Sequence, residues 1–176
     1  HVFPEGAFGP ETPEIGTLPE LDRFMREMEI EKTVALAPFW GPHTTEMLAG
    51  EEPNAWLHRR LKDYPNILGA VAVSPLAPDA CQLVEKYIGE GFVGIKTHPP
   101  VMGFRIDDPA CDPFYALAAE LGVFVIFHTG VHGGRLETYQ PLLIDNIMDR
   151  HPRLNVIIEH MGLGDRVGRG FFDQAM

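Results

Sequence analysis

The sequence predicts an α/β fold in which strands alternate with helices around a parallel sheet. Apolar strand-like runs and amphipathic helical patterns follow one another at intervals of roughly 25 to 35 residues, which is typical of repeated βαβ units. Right-handed crossovers then make the sheet parallel. Two strands end in a histidine followed closely by a glycine, at His128 and His160. The carboxyl ends of such strands are where α/β folds place their chemistry.

The number of strands indicates a barrel that is not complete. Five strands are predicted to start near Thr33, Ile67, Phe92, Val123 and Asn155, and a sixth is expected to end at His1. A closed (β/α)₈ TIM barrel takes about 250 residues, and this chain has 176. We therefore expect a truncated TIM barrel with about strands 1 to 6, in which residues 1–176 form a single domain incomplete at both ends. A flavodoxin-like open sheet also fits parallel strands but leaves the strand-end histidines unexplained.

The first strand–helix units follow from local signals. Residues 1–16 are rich in Gly, Pro and Glu, which favours a loop. Residues 17–20, Thr-Leu-Pro-Glu, have the form of a capping box with proline in the first turn, so a helix over 18–29 should follow. A buried strand over 33–37 comes next, then a loop at 40–43.

The later elements continue the same alternation. The predicted strands lie over 67–73, 92–98, 123–128 and 155–160, and Gly130 should let the chain turn tightly after the third of them. The predicted helices run from Trp56 to Tyr64, where Pro65 closes the helix, around 83–88 with an end at Gly89, over 112–121, and from Pro141 to His151. In the helix over 112–121, Leu121 should point inward and Gly122 should be the cap.

Composition excludes several classes of partner. The formal net charge of −11 argues against nucleic acid and anionic membranes, because both require a basic surface. No stretch approaches the roughly 20 apolar residues of a membrane span. The two cysteines, Cys81 and Cys111, lack the spacing of a metal site or a disulfide framework, so we interpret both as structural thiols of a cytoplasmic protein.

The predicted strand ends bring together residues that suit a metal site. These residues are His1, Lys96, His98, His128 and His160. Lys96 and His98 are two residues apart on one strand and should point the same way. Several imidazoles at one mouth can bind a divalent ion such as Zn²⁺, and a further histidine can act as general base. Strand alternation predicts that Glu159 points away from His160 and pairs with a neighbouring element.

Four ordered motifs resemble the amidohydrolase superfamily, in particular its amidohydrolase-related (amidohydrolase 2) hydrolase and decarboxylase branch. They are His1-Val2-Phe3-Pro4, similar to the end of the Asp-x-His-x-His motif of strand one, then Gly94-Ile95-Lys96-Thr97-His98-Pro99, Phe127-His128-Thr129-Gly130 and Glu159-His160-Met161-Gly162. Each motif alone is weak, but the ordered set spans almost the whole chain. The first Asp and His of strand one and the strand-eight aspartate of the family have no counterpart within the chain.

The resemblance implies a role for each of these residues. His1 and His128 would be metal ligands and His160 the catalytic histidine. Lys96 stands near the position of a carboxylated lysine that bridges two metals in binuclear members. The Lys-Thr-His-Pro context favours one metal, most simply Zn²⁺, with Mn²⁺ as the alternative. Apart from the resemblance, His98 and His132 are further candidates for a second metal or for substrate contact. His132 falls on a predicted loop after the His128 strand, where a solvated side chain is the alternative.

The function implied by the resemblance is metal-dependent hydrolysis, in which activated water attacks an amide, ester or lactone-type bond of a small molecule. The same site could instead catalyse non-oxidative decarboxylation of an aromatic or unsaturated acid. Arg135 could favour that reaction by binding a substrate carboxylate, although an ordinary surface arginine is the more common interpretation of such a residue. A non-catalytic barrel without metal is the alternative outside enzymes. A homodimer is the expectation from the family.

Overall fold

The computed structural model describes residues 1–39, 44–130 and 135–162 of the chain. The helices are α1 (Leu18–Glu27), α2 (Thr44–Met47), α3 (Pro53–Leu61), α4 (Ala80–Gly89), α5 (Pro99–Met102), α6 (Asp112–Leu121) and α7 (Leu143–Arg150), and the strands are β1 (Thr33–Leu36), β2 (Ile67–Ala72), β3 (Gly94–Thr97), β4 (Phe124–His128) and β5 (Asn155–Glu159). The five predicted strands are confirmed, and each starts within two residues of its predicted position. The loop predicted at 40–43 lies outside the described residues.

Helix α1 begins as its capping signal predicts. The Thr17 hydroxyl accepts a hydrogen bond from the Glu20 N–H at 3.3 Å. In return, the Glu20 carboxylate accepts from the N–H of Gly16 at 2.6 Å, one residue before the position that a standard capping box uses. The helix ends at Glu27, two residues earlier than predicted.

The chain divides into two compact units, and the first comprises residues 1–72 with 87–93. Strands β1 and β2 pair in parallel there, from Thr33 opposite Ile67 to Leu36 opposite Ala70. Asn54, buried in the first turn of α3, accepts from the N–H of Ala72 at 2.7 Å and donates to its carbonyl at 3.1 Å. This side chain therefore ties α3 to the end of β2.

The second unit comprises residues 73–86 with the described residues from 94 onward. Strand β3 pairs in parallel with β4, and β4 pairs in parallel with β5, with His128 opposite Glu159. Gly94 lies opposite Phe124, and a Cβ atom at Gly94 would lie 2.1 Å from that ring. Only glycine fits this position, because the aromatic ring occupies the space that a side chain would need.

Helices α6 and α7 supply much of the core of the second unit. Their buried residues are Phe114, Tyr115, Ala118, Leu143, Ile144 and Ile147. Gly122 caps α6 in the left-handed conformation with φ of 70°, which confirms the predicted cap. The inward position predicted for Leu121 is wrong, since this residue is 38% exposed.

Two observations bear on the predictions from composition. Cys81 and Cys111 are both free thiols, and burial raises the pKa of the Cys111 thiol to about 11. None of the helices in the described ranges is long and apolar enough to cross a bilayer.

Candidate functional site

The candidate site lies at the carboxyl ends of β3, β4 and β5 in the second unit. Lys96 is the third residue of β3, His128 is the last residue of β4, and Glu159 is the last residue of β5. Because the three strands are parallel and paired in sequence, their carboxyl ends share one edge of the sheet. Polar side chains at these ends therefore meet.

The carboxylate of Glu159 is the centre of this cluster. Its Oε2 atom forms an ion pair with the ammonium group of Lys96, which is 0% exposed. The same oxygen lies 3.2 Å from Nδ1 of His128 and 3.4 Å from Nε2 of His160. One carboxylate oxygen thus contacts a buried lysine and two imidazoles.

The contact between Glu159 and His160 shows that the predicted orientation of Glu159 away from His160 is wrong. The predicted pairing of Glu159 with a neighbouring element is confirmed by its contacts with Lys96 and His128. Strand β5 ends at Glu159, and the two residues that follow, His160 and Met161, have positive φ angles of 60° and 48°. The chain therefore turns instead of continuing as a strand, and alternation no longer applies to His160. The side chain of His160 returns towards Glu159 and is half exposed.

Thr129 and Gly130, which follow β4, hold this turn. The buried Thr129 hydroxyl donates to the carbonyl of Glu159 at 2.6 Å and accepts from the N–H of Gly162 at 3.1 Å. A Cβ atom at Gly130 would lie 3.0 Å from Cδ2 of His160. Gly130 does not have a positive φ. The close approach of His160, and not a tight turn of its own backbone, accounts for glycine at this position.

His98, immediately after β3, contacts the ring of His128. The two imidazoles stack with their centroids 3.9 Å apart and an angle of 15° between the ring planes. Both residues are buried. Lys96 and His98, which are two residues apart, therefore contact neighbouring members of one cluster, Glu159 and His128.

Burial and neighbouring charges shift the pKa values of Glu159 and Lys96. Burial opposes ionisation of Glu159, but the hydrogen bond from His128 and the charge of Lys96 outweigh it and lower its pKa to about 2. Burial also disfavours the charge on Lys96 and lowers its pKa, with Glu159 partly offsetting this effect. The carboxylate is therefore ionised across the physiological pH range.

Comparison with known proteins identifies the family of this chain. The sequence profile of the amidohydrolase family matches residues 21–175. This chain belongs to the amidohydrolase family. The resemblance predicted from the four motifs is thereby confirmed. No curated protein sequence matches the chain significantly.

Solved structures similar to this amidohydrolase chain share its fold. An uncharacterised TIM-barrel protein from Bordetella bronchiseptica is 23% identical, with a TM-score of 0.63, over 82% of this chain and 51% of that chain. A probable 2-pyrone-4,6-dicarboxylic acid hydrolase from Acinetobacter baumannii is 16% identical, with a TM-score of 0.55, over 84% and 49%. A 2,6-dihydroxybenzoate decarboxylase from Rhizobium is 20% identical, with a TM-score of 0.59, over 80% and 55%.

These comparisons confirm the predicted fold class. The amidohydrolase chain is a segment of a TIM barrel and spans about half the length of the structures that it resembles. The similar structures include both a probable hydrolase and a decarboxylase, so the fold alone does not distinguish the two reactions.

The donor set at the strand ends suits a divalent cation, as the amidohydrolase family implies. One ligand atom from each of His128, Glu159 and His160 lies within 4.8 Å of the other two. Imidazoles and carboxylates are the groups that bind catalytic zinc, so each of the three is a candidate ligand or a partner that orients one. The residues of this amidohydrolase therefore fit a metal ion.

The remaining predicted site residues are His1, Arg135 and His132. His1 belongs to the first unit, where its Nδ1 atom is 2.7 Å from the carbonyl of Ala37, and its ligand role stays a prediction. Arg135 is exposed and pairs with Glu137 at 2.8 Å. His132 lies outside the described residues.

Sequence reasoning did not assign a site role to Glu159. The signal in the sequence was its position beside the predicted end of the strand that follows the His128 strand, since strand-end residues on paired parallel strands lie side by side. Strand alternation predicted that Glu159 and His160 point in opposite directions, so only His160 was expected at the site.

Proposed function

We propose that this chain carries part of the active site of a metal-dependent amidohydrolase that cleaves an amide, ester or lactone-type bond of a small molecule. The observation that supports the proposal is the cluster of His128, Glu159 and His160, with ligand atoms within 4.8 Å of one another at the strand ends. A bound divalent ion, Zn²⁺ or Mn²⁺, would supply Lewis-acid activation of water and of the reacting bond.

His128 is the residue that we propose as a metal ligand. It is buried at the end of β4, where its backbone pairs with Glu159 of β5 and the preceding residue, Phe127, pairs with both neighbouring strands. A rigid position of this kind suits a ligand, because coordination tolerates little displacement. The ligand role of His1 remains a prediction from the family motif.

His160 is the residue that we propose as general acid and base. Its side chain is 49% exposed, so it can exchange protons with a substrate at the mouth of the site. The ionised carboxylate of Glu159, 3.4 Å away, stabilises the positive charge that His160 gains on taking up a proton. This arrangement suits a group that accepts a proton and later donates it.

A single metal is favoured over a bridged pair. The family's bridging lysine carries a carboxylate group on its side-chain nitrogen, whereas the Lys96 ammonium is fully buried and forms an ion pair with Glu159. This pairing supports a structural role for Lys96. A cytoplasmic location and a homodimer stay predictions from the thiols and the family.

Non-oxidative decarboxylation of an aromatic or unsaturated acid is the second candidate reaction. The similarity to the decarboxylase from Rhizobium favours it. Arg135 adds no support, because it is exposed and paired with Glu137. The two reactions differ in product, since only decarboxylation releases carbon dioxide.

Metal content and product analysis test the proposal. We expect about one Zn²⁺ or Mn²⁺ per chain by mass spectrometry, lost in His128→Ala and kept in His58→Ala, a control histidine that pairs with Glu90 in the first unit. Activity against panels of lactones, esters and aromatic acids should fall with His160→Asn while the metal stays bound. A wild-type chain that takes up neither metal would refute the proposal.

A further inference from the structure

The hydrogen bond between His128 and Glu159 fixes which nitrogen of His128 carries a proton. A neutral imidazole has one N–H donor and one acceptor nitrogen, whereas an ionised carboxylate has only acceptors. Nδ1 of His128 lies 3.2 Å from the Glu159 oxygen, so Nδ1 is the donor. Nε2 then holds the lone pair that a metal ligand needs.

The ion pair with Lys96 bears on whether the Glu159 carboxylate can bind a metal ion directly. The buried ammonium group of Lys96 contacts the same carboxylate oxygen, Oε2, that accepts from His128. A divalent cation on that oxygen would lie beside a buried positive charge, and this arrangement is electrostatically unfavourable. The pair with Lys96 therefore favours a supporting role for Glu159 over direct coordination.

His98 restricts the ring of His128 in a second direction. The planes of the two imidazoles are nearly parallel, 15° apart, with centroids at 3.9 Å, so the His98 ring covers one face of His128. Rotation of the His128 ring about its Cβ–Cγ bond would break this stacking and the Nδ1 contact together. His98 thus fixes the plane of the His128 ring, and Glu159 fixes its tautomer.

We propose that Glu159, backed by Lys96 and with His98 on the ring face, is a positioning residue that presents Nε2 of His128 to a divalent cation. This inference rests on the proposed metal-dependent function. It assigns Lys96 and His98 to the support of a ligand instead of to a second metal or to substrate. His160 has a longer contact with Glu159, so His128 is the side chain that the carboxylate chiefly orients.

The tautomer of His128 can be measured in the metal-free full chain by ¹⁵N NMR of labelled histidine, with the signal assigned through His128→Gln. The test variant is Lys96→Met combined with Glu159→Leu, because removing both partners leaves no unpaired buried charge. We expect the Nδ1–H form to predominate in wild type. The double variant should shift the tautomer ratio towards Nε2–H by roughly tenfold or more.

A matched control lies in the same unit. His151 and Asp112 form another histidine–carboxylate pair, with Nε2 and Oδ1 3.1 Å apart. Asp112→Asn should leave the His128 tautomer unchanged. If His128 carries its proton on Nε2 in wild type, or if the double variant keeps the wild-type ratio, the inference is overturned.

Metal binding gives the second readout, with Zn²⁺ affinity measured by chelator competition and Co²⁺ by its visible absorption. Loss of an orienting partner should weaken both affinities by about 10- to 100-fold in the double variant, with no change in Asp112→Asn. The Co²⁺ band pattern should stay the same, because the ligands are the same. An altered pattern would make Glu159 a ligand and refute its positioning role.

The two readouts separate this inference from the proposed function. If the wild-type chain binds neither Zn²⁺ nor Co²⁺, the metal-dependent function and the presentation of His128 to a cation both fail, and the NMR result then reports only whether Glu159 sets the tautomer. If the wild type binds metal and the double variant binds it equally well, the function stands and the positioning role is refuted.

Discussion

Replacing Glu159 alone should destabilise the protein far more than replacing Glu159 and Lys96 together. Lys96 is fully buried, so Glu159→Leu leaves its ammonium group without the carboxylate that compensates its charge. Breaking a buried ion pair in this way costs about 3–5 kcal/mol. Glu159 is 23% exposed, and water can reach part of the site, so we expect a loss of about 3 kcal/mol in the free energy of unfolding.

The double variant, Lys96→Met with Glu159→Leu, removes both charges and keeps similar side-chain volumes. Replacing a whole buried pair by apolar residues is often neutral or stabilising. The hydrogen bond from His128 is still lost, which costs about 1 kcal/mol. We therefore expect the double variant to lie within about 1 kcal/mol of wild type.

Urea unfolding at neutral pH, followed by tryptophan fluorescence, measures both differences. Glu51→Leu is the control, because Glu51 pairs with Arg59 at the surface and its loss should have little effect. Equal losses in the single and double variants would refute the reasoning. The cost would then come from lost packing at position 159 and not from an uncompensated lysine charge.

Three further predictions concern other parts of the structure. Gly130→Ala should displace His160 by a few tenths of an ångström and lower catalytic turnover more than metal affinity, and unchanged turnover would contradict the close approach. Asn54→Ala should lower the free energy of unfolding by about 1–3 kcal/mol in urea titrations, because Ala72 loses two hydrogen bonds. The stability contributed by Glu159 should be present above its ordinary pKa of 4.5 and be lost as the pH falls to about 2. The advantage of wild type over Glu159→Gln should therefore shrink by about 3 kcal/mol across this range in acid unfolding curves, and a constant difference would show that Glu159 is not stabilised as an anion.

Local patterns were sufficient to predict the strands and the main helices. The apolar run that ends at His128 is a strand because its side chains are buried on both faces, and that requirement is visible in the sequence. The cap at Gly122 follows from local backbone preference. The inward position of Leu121 depends on what packs around the helix end, which the helical period alone does not specify.

The site was harder to predict because its geometry depends on contacts between distant residues. The turn after Glu159 is held by Thr129, thirty residues earlier in the chain. Nothing in the local sequence of β5 indicates that His160 adopts a positive φ. The partners of Lys96 likewise depend on the register of three strands, so the residue could be placed at the site but its contact could not be assigned.

The hydroxyl group of Thr129 holds the backbone on both sides of His160. It bonds to the carbonyl before this residue and to the amide of Gly162 beyond it. Between these two anchors, His160 and Met161 both hold left-handed conformations, which store on the order of 1–3 kcal/mol each. The two hydrogen bonds of Thr129 offset this cost and hold the His160 side chain beside Glu159. The position of the His160 side chain beside Glu159 therefore depends on one hydroxyl group of the residue that follows β4.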